Sequence, residues 1–396
     1  MIDPHVHLRD WNQSRKETLA HAFDLAWRCG ISALFEMPNT DPPLTDRAAI
    51  VRRIADADRA RPVPERAPFH GLYAGLTADP DQVAHVAAVH GELFPRVVGC
   101  KLYAGHSTGQ MGVTTVAEQY TVWRTLARSG YRGVVAVHAE REDLLRPDLR
   151  IAEDPLTHSS SRPPLAEIAS VQTQLVLAET AGFRGTVHIC HVSTAETLVL
   201  VARERRGLPF TVTAGVTPHH LLLDTTHAST AATTGTGPAA TTGTSKAAAK
   251  TTTTKGARDL TDPPGTGFTV NPPLRDRTTR ERLLETVLAG NADWIESDHA
   301  PHTWEEKRSG AAGLPGIPAL RYLKEQLLQR MDRETVYAMT AGRILEAFRI
   351  DPTVIPDHPT TSKQHNLEQL TPDPFTLEQF RSAAGEYPWD PYALLQ

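Results

Sequence analysis

VVGCKLYAGHSTGQMGVTTVAEQYTVWRTLARSGYRGVVAVH, residues 97–138, holds the pattern that decides the architecture. A β-branched and apolar run, Val97–Tyr103, precedes an amphipathic stretch, Ala117–Arg128, and a second apolar run, Gly133–His138, follows. Two strands joined through a helix form a parallel βαβ unit, because antiparallel partners need only a short turn. Outward from this unit the alternation continues. Strands are expected at Ile31–Glu36, Phe69–Tyr73, Gly185–His191, Phe210–Ala214 and Ala292–Glu296, with Met1–Pro4 as a stub before them. Helices are expected at Lys16–Cys29, Arg47–Arg59, Asp81–His90, Leu165–Ala181, Ala195–Glu204 and Thr279–Leu288. About eight such units close as an α/β (β/α)8 TIM-like barrel, whose working face is the set of loops after the strands. No GxGxxG follows the first strand, so a doubly wound open sheet is the less favoured arrangement.

Two regions leave the pattern. Residues 225–268 are dominated by Thr, Ala, Gly and Lys and read as a flexible low-complexity insertion on a barrel loop, too poor in large apolar residues to offset ordering. Arg333–Phe348 reads as one helix, and a Pro-rich tail follows. The expected division is a barrel over 1–350, carrying the insertion, and a short C-terminal extension over 351–396 packed on it.

Composition excludes several classes. In 396 residues, 41 Lys and Arg against 46 Asp and Glu leave a formal charge of −5, with no basic field for nucleic acid. No run of about 18 apolar residues occurs, so no membrane span is expected. MIDPHVHLRD lacks the basic and apolar regions of a signal peptide. Three cysteines without CxxC spacing favour a reducing, cytoplasmic location.

The 18 histidines stand out, because many lie in groups beside Asp. His5 and His7, two apart on an extended strand, point to the same side at the strand's end, either a metal half-site or an ordinary pair of polar residues. Asp298, in Glu296-Ser297-Asp298-His299-Ala300-Pro301-His302 after the last strand, is either a ligand that also holds a proton or an Asx turn before Pro301. His138 and His191 end two more strands. His188 and His191 have opposite parity, so His191, nearer the strand end, is assigned to the centre and His188 behind it. Lys101, in Gly99-Cys100-Lys101-Leu102-Tyr103, either snorkels to solvent or has captured carbon dioxide as a carbamate, a bridging carboxylate. Four His, one Asp and one potential carbamate suffice for two metals.

These residues resemble the cyclic amidohydrolase superfamily and, more narrowly, the dihydroorotase family. The likeness runs from DPHVHLRD through MPNTDPP, GCKLYAG, VHAE, HICHVST, VTPHH and VNPPLR to SDHAPHTWEEK. The resemblance implies one zinc on His5, His7, Lys101 and Asp298, and a second on Lys101 (carboxylated), His138 and His191. It implies that Arg9, Asn39 and His302 hold a substrate carboxylate, that Asn271 touches the substrate ring, and that Ser107 and Thr108 lie in a short lid. Asp298 would be the catalytic base and acid. The implied reaction is reversible cyclisation of N-carbamoyl-L-aspartate to L-dihydroorotate in pyrimidine biosynthesis. Hydantoinase- or allantoinase-like hydrolysis, and an inactive scaffold for aspartate carbamoyltransferase, are the alternatives. A homodimer and an active enzyme associated with aspartate carbamoyltransferase remain open. The motifs start at Met1, so the small β-sandwich that many relatives build from both termini is not expected to gain an N-terminal half. His219 and His220, just before the insertion, are expected to be structural.

Overall fold

A computed structural model describes the chain apart from residues 62, 64–65, 108–110, 152–153, 155, 229–266, 358–374, 388–391 and 393–396. Eight strands pair in chain order: β1 (Ile2–Val6), β2 (Ala33–Glu36), β3 (Phe69–Gly75), β4 (Val97–Tyr103), β5 (Val134–His138), β6 (Thr186–Ile189), β7 (Thr211–Val216) and β8 (Trp294–Ile295). Every pairing along this order is parallel. The two ends meet beyond β8, where His7 N donates to His299 O at 2.7 Å and Val6 bridges His299. The result is a (β/α)8 barrel.

The expected stub is a full strand. Ile2–Val6 is buried throughout, and its register with β2 shifts between Asp3 and Val6. That irregularity accommodates Pro4, which has no N–H for a ladder. At the other end, β8 is shorter than expected. The ideal Cβ position on Gly215 lies 2.6 Å from the Glu296 carboxylate, so β7 makes room there for a charged side chain.

Two apolar layers hold the barrel. Outside, the helices Leu19–Arg28, Pro80–Leu93, Val116–Arg128 and Pro164–Thr180 bury Phe23, Val86, Trp123 and Val171 against the strands. Their starts are set by side-chain caps where the chain supplies them, as when Thr115 and Glu118 form a reciprocal capping box. Inside, Ile2, Phe35, Phe69, Tyr73, Val98 and Trp294 fill the end from which the strands begin. Phe348 plugs that end, with its ring centroid 5.0 Å from Phe35 and 6.0 Å from Trp294.

The expected helix Arg333–Phe348 is two α-helical pieces, Arg333–Tyr337 and Arg343–Phe348, joined by a π-helical turn at Ala338–Gly342. Near the C-terminus, the helix Leu377–Ala384 packs on Ile317–Leu328, stacking Phe380 on Tyr322 at 4.7 Å. The expected insertion at 225–268 lies outside the described residues except at its ends, 225–228 and 267–268. Among the described residues, no helix is long and apolar enough to cross a membrane.

Candidate active site

At the mouth of the barrel one cavity, with an empty volume of about 380 Å³, gathers most of the expected residues. His5, His7, Arg9, Asn39, Lys101, Ser107, His138, His191, Asn271 and Asp298 all line it. His302 stands directly behind Arg9, its Nε2 3.2 Å from Arg9 Nη2. Thr108 lies outside the described residues.

Strand parity explains the first pair. His5 Nε2 and His7 Nε2 lie 3.2 and 3.1 Å from the same oxygen, Asp298 Oδ1. His7 Nδ1 lies 2.6 Å from Asn39 Oδ1. An amide oxygen only accepts, so Nδ1 carries the proton and Nε2 offers a lone pair to Asp298. Burial pulls His7 down to about 4, which keeps the ring neutral at pH 7. Two acceptors therefore face one another across 3.1 Å, an arrangement that a cation between them relieves.

A second pair of histidines lies opposite. His138 Nδ1 and His191 Nε2 are 3.2 Å apart, and burial together with His138 drives the His191 pKa well down. The other nitrogen of His191, Nδ1, is buried with no hydrogen bond among the described residues. Lys101 reaches the same space from β4 and donates to Cys190 Sγ at 3.2 Å. Imidazole nitrogens, a carboxylate and a lysine converging here are a donor set that suits a borderline ion such as zinc. The residues present fit a metal.

His191 occupies its place by leaving the strand, with φ +39. That left-handed residue defeats simple alternation, so His188 and His191 both serve the interior at different depths. His188 is buried below the cavity, 2.9 Å from Glu296 Oε2 and stacked on Trp294 at 4.3 Å. Asp298 is left-handed too, with φ +46. Burial opposes charge on its carboxylate, but His5 leads the groups that hold the Asp298 pKa well below the usual carboxylate range.

Three contributors escaped the sequence reading. Glu296 accepts from the His191 backbone N–H at 2.6 Å and from Trp294 Nε1 at 3.1 Å. Cys190 lies with His5 and His191 on one side and with His188 and Glu296 on the other, each trio offering ligand atoms within 4.8 Å of one another. Burial raises the Cys190 pKa, yet Lys101, His5 and His188 bring it to about 5. Glu140 sits 3.1 Å from His138 Nε2 and pairs with Arg162, which also donates to the His106 carbonyl at 2.8 Å. The available signal was parity: Cys190 shares a strand face with His188, and Glu140 follows His138 by two. Among the described residues neither ring nitrogen of the buried His219 has a hydrogen bond, whereas His220 lies near Thr217 Oγ1 and Pro272 O.

The end of the cavity lined by Arg9 is cationic. Arg9 is 2% exposed and donates through Nε to Pro301 O at 3.1 Å. Burial, Arg9 and Lys307 together push the His302 pKa far down, so its ring is neutral. His302 Nδ1 lies 3.2 Å from Glu306, and Nε2 lies 3.1 Å from Ala312 O.

No family model matches the chain. A dihydroorotase from Methanothermobacter thermautotrophicus is 31% identical over 376 residues, covering 90% of this chain and 73% of that protein. A dihydroorotase from Thermococcus kodakarensis is 32% identical over 317 residues, covering 80% of this chain. This chain spans 59% of the Thermococcus protein's length. Among solved structures, L-hydantoinase (dihydropyrimidinase) from Arthrobacter aurescens superposes with a TM-score of 0.68 at 22% identity, over 90% of this chain and 73% of that one. This last likeness concerns the barrel.

Proposed function

The chain belongs to the dihydroorotase family, and on that premise we propose that it interconverts N-carbamoyl-L-aspartate and L-dihydroorotate in pyrimidine biosynthesis in the cytoplasm. One observation carries the choice of substrate: Arg9, a buried guanidinium, lines the same cavity as His5, His7, His138, His191 and Asp298. A cyclic ureide without a carboxylate gives that cation no partner. L-Dihydroorotate carries one, and a planar guanidinium can hold it through two parallel hydrogen bonds.

Two zinc ions fit the donor set. His5, His7, Lys101 and Asp298 would hold one, and Lys101, His138 and His191 the other. Lys101 joins both sets once its neutral amine adds to carbon dioxide, forming an N–C bond and releasing one proton. Its burial among imidazoles supports that reading, since a free ammonium there would repel the metals. Bound at this centre, zinc supplies Lewis acidity and lets water ionise near neutral pH.

Asp298 does the proton work. Its Oδ1 faces both His5 and His7, which leaves Oδ2 to take the proton of the attacking water. The same proton passes to the ring nitrogen as the C–N bond breaks. In the reverse direction, Asp298 accepts the proton from the carbamoyl nitrogen, and the ring closes with loss of water. Arg9 fixes the carboxylate, flanked by Asn39 and His302, while Asn271 meets the ring and Ser107 lines the same cavity. Such positioning is a large share of the rate gain.

The test is hydrolysis of L-dihydroorotate, hydantoin and allantoin by purified protein, before and after chelation. Turnover of L-dihydroorotate that chelation abolishes and zinc restores is expected. Equal efficiency on hydantoin or allantoin would contradict the assigned substrate.

A further inference from the structure

Arg9 reaches the cavity from an unusual backbone. Arg9, Asp10 and Trp11 have φ of +53, +59 and +49, three successive left-handed residues with no glycine among them. Side chains resist that conformation, so something outside the segment must over-determine it. Asp10 supplies part of the restraint: its carboxylate accepts from Trp11 N at 2.7 Å and from Leu19 N at 3.0 Å. Neither bond touches Arg9.

The side chain that bonds the Arg9 carbonyl is Arg53, on the helix Arg47–Arg59. Its Nη2 donates to the Arg9 carbonyl at 2.9 Å, and its guanidinium lies 4.9 Å from the centre of the Trp11 ring. Arg53 is itself immobilised. Nε donates to Glu36 Oε2 at 2.9 Å, Nη2 also meets Glu36 Oε1, and His70 Nε2 lies 2.9 Å from Oε2. Arg53, Glu36 and His70 are all 0% exposed. Glu36 ends β2, three residues before Asn39.

We propose that Arg53 is a positioning residue for carboxylate recognition, its pair with Glu36 locking Arg9 and the Asn39 loop at the separation the substrate requires. The inference rests on the proposed dihydroorotase reading and names the part of the fold that gives that site its selectivity. A buried ion pair kept merely for stability has no need of the third bond to a strained carbonyl beside the cavity. Arg53 acts at the barrel mouth through the Arg9 main chain and touches no reacting atom.

Two variants test this: Arg53→Lys, which keeps the charge opposite Glu36 but not the fork, and Glu36→Gln/Arg53→Gln, which leaves neither charge unpaired. Steady-state kinetics on L-dihydroorotate are combined with calorimetric binding of orotate, a flat ring bearing the same carboxylate. A small misplacement of Arg9 should raise KM and the orotate Kd about 10-fold or more in both variants, with kcat lowered by a smaller factor. A stability role alone would lower the melting temperature and leave both constants unchanged in folded protein. Unchanged constants would overturn the proposal, as would failure of both variants to fold. Should the unaltered protein bind orotate without turning over L-dihydroorotate, the activity reading fails while the orotate measurement still decides the role of Arg53.

Discussion

At the mouth of the barrel Arg9, Asp10, Trp11, His191 and Asp298 hold left-handed backbone, and at the closed end Arg349 does, where it ends a helix. Among the described residues the mouth also collects buried ring nitrogens without hydrogen-bond partners, on His191 and His219, whereas the closed end is filled by Phe35, Tyr73, Trp294 and Phe348. One end is packed for stability. The other stores strain and unsatisfied polar atoms, which a ligand or metal relieves. Residues at the mouth should therefore control rate and binding, and residues at the closed end should control folding.

The sharpest way to break this contrast is Asp298→Asn. Turnover of L-dihydroorotate should fall by about 10³–10⁴-fold, the range for loss of a general acid–base, with the melting temperature nearly unchanged. Persisting turnover would remove Asp298 from the proton path. At the opposite end, Phe348→Ala should cost about 3–5 kcal/mol by denaturant unfolding while KM stays the same. A shifted KM there would show that the two ends are not separate.

Glu36→Gln tests the boundary between them. Leaving the Arg53 charge unpaired should cost about 3–5 kcal/mol at neutral pH. Burial pushes the Glu36 carboxyl up, but Arg53 and His70 hold it at about 2, below its ordinary 4.5. A depressed carboxyl stabilises above its unfolded pKa, and that contribution is lost as pH falls through the folded one. The gap in melting temperature between Glu36→Gln and the unaltered protein should thus close between pH 4.5 and about 2. A constant gap would mean that the charge pair contributes nothing. The smallest effect is expected for Arg349→Gly: relieving a left-handed helix end should gain up to about 1 kcal/mol in unfolding experiments. A loss would show that the Arg349 side chain matters more than its backbone.

The sequence reading succeeded where one element carries its own signals. Val97–Tyr103 alternates toward the interior, and Arg47–Arg59 and Ala195–Glu204 begin at the capping residues Asp46 and Thr194; their bounds match the structure. It failed where tertiary context decides. Pro4 made the first strand look like a stub, yet the register shift opposite β2 absorbs it. The interruption at Ala338–Gly342 leaves no pattern in composition. At the site, parity on β1 placed His5 and His7 together, because a short strand keeps its alternation. Cys190 and Glu296 had no local signal beyond parity, since what distinguishes them is company from another strand, Lys101 on β4 for Cys190 and His188 on β6 for Glu296.

The central claim is that the cluster at the mouth is a two-metal centre completed by Lys101. It is tested most directly by stripping the protein of metal and titrating it with zinc in bicarbonate buffer, following bound zinc and L-dihydroorotate hydrolysis together, beside Lys101→Ala. Activity that rises until two equivalents are bound per chain, with Lys101→Ala failing to retain both, is the expected result. Full activity without metal, or the same zinc binding and turnover in Lys101→Ala, would contradict it.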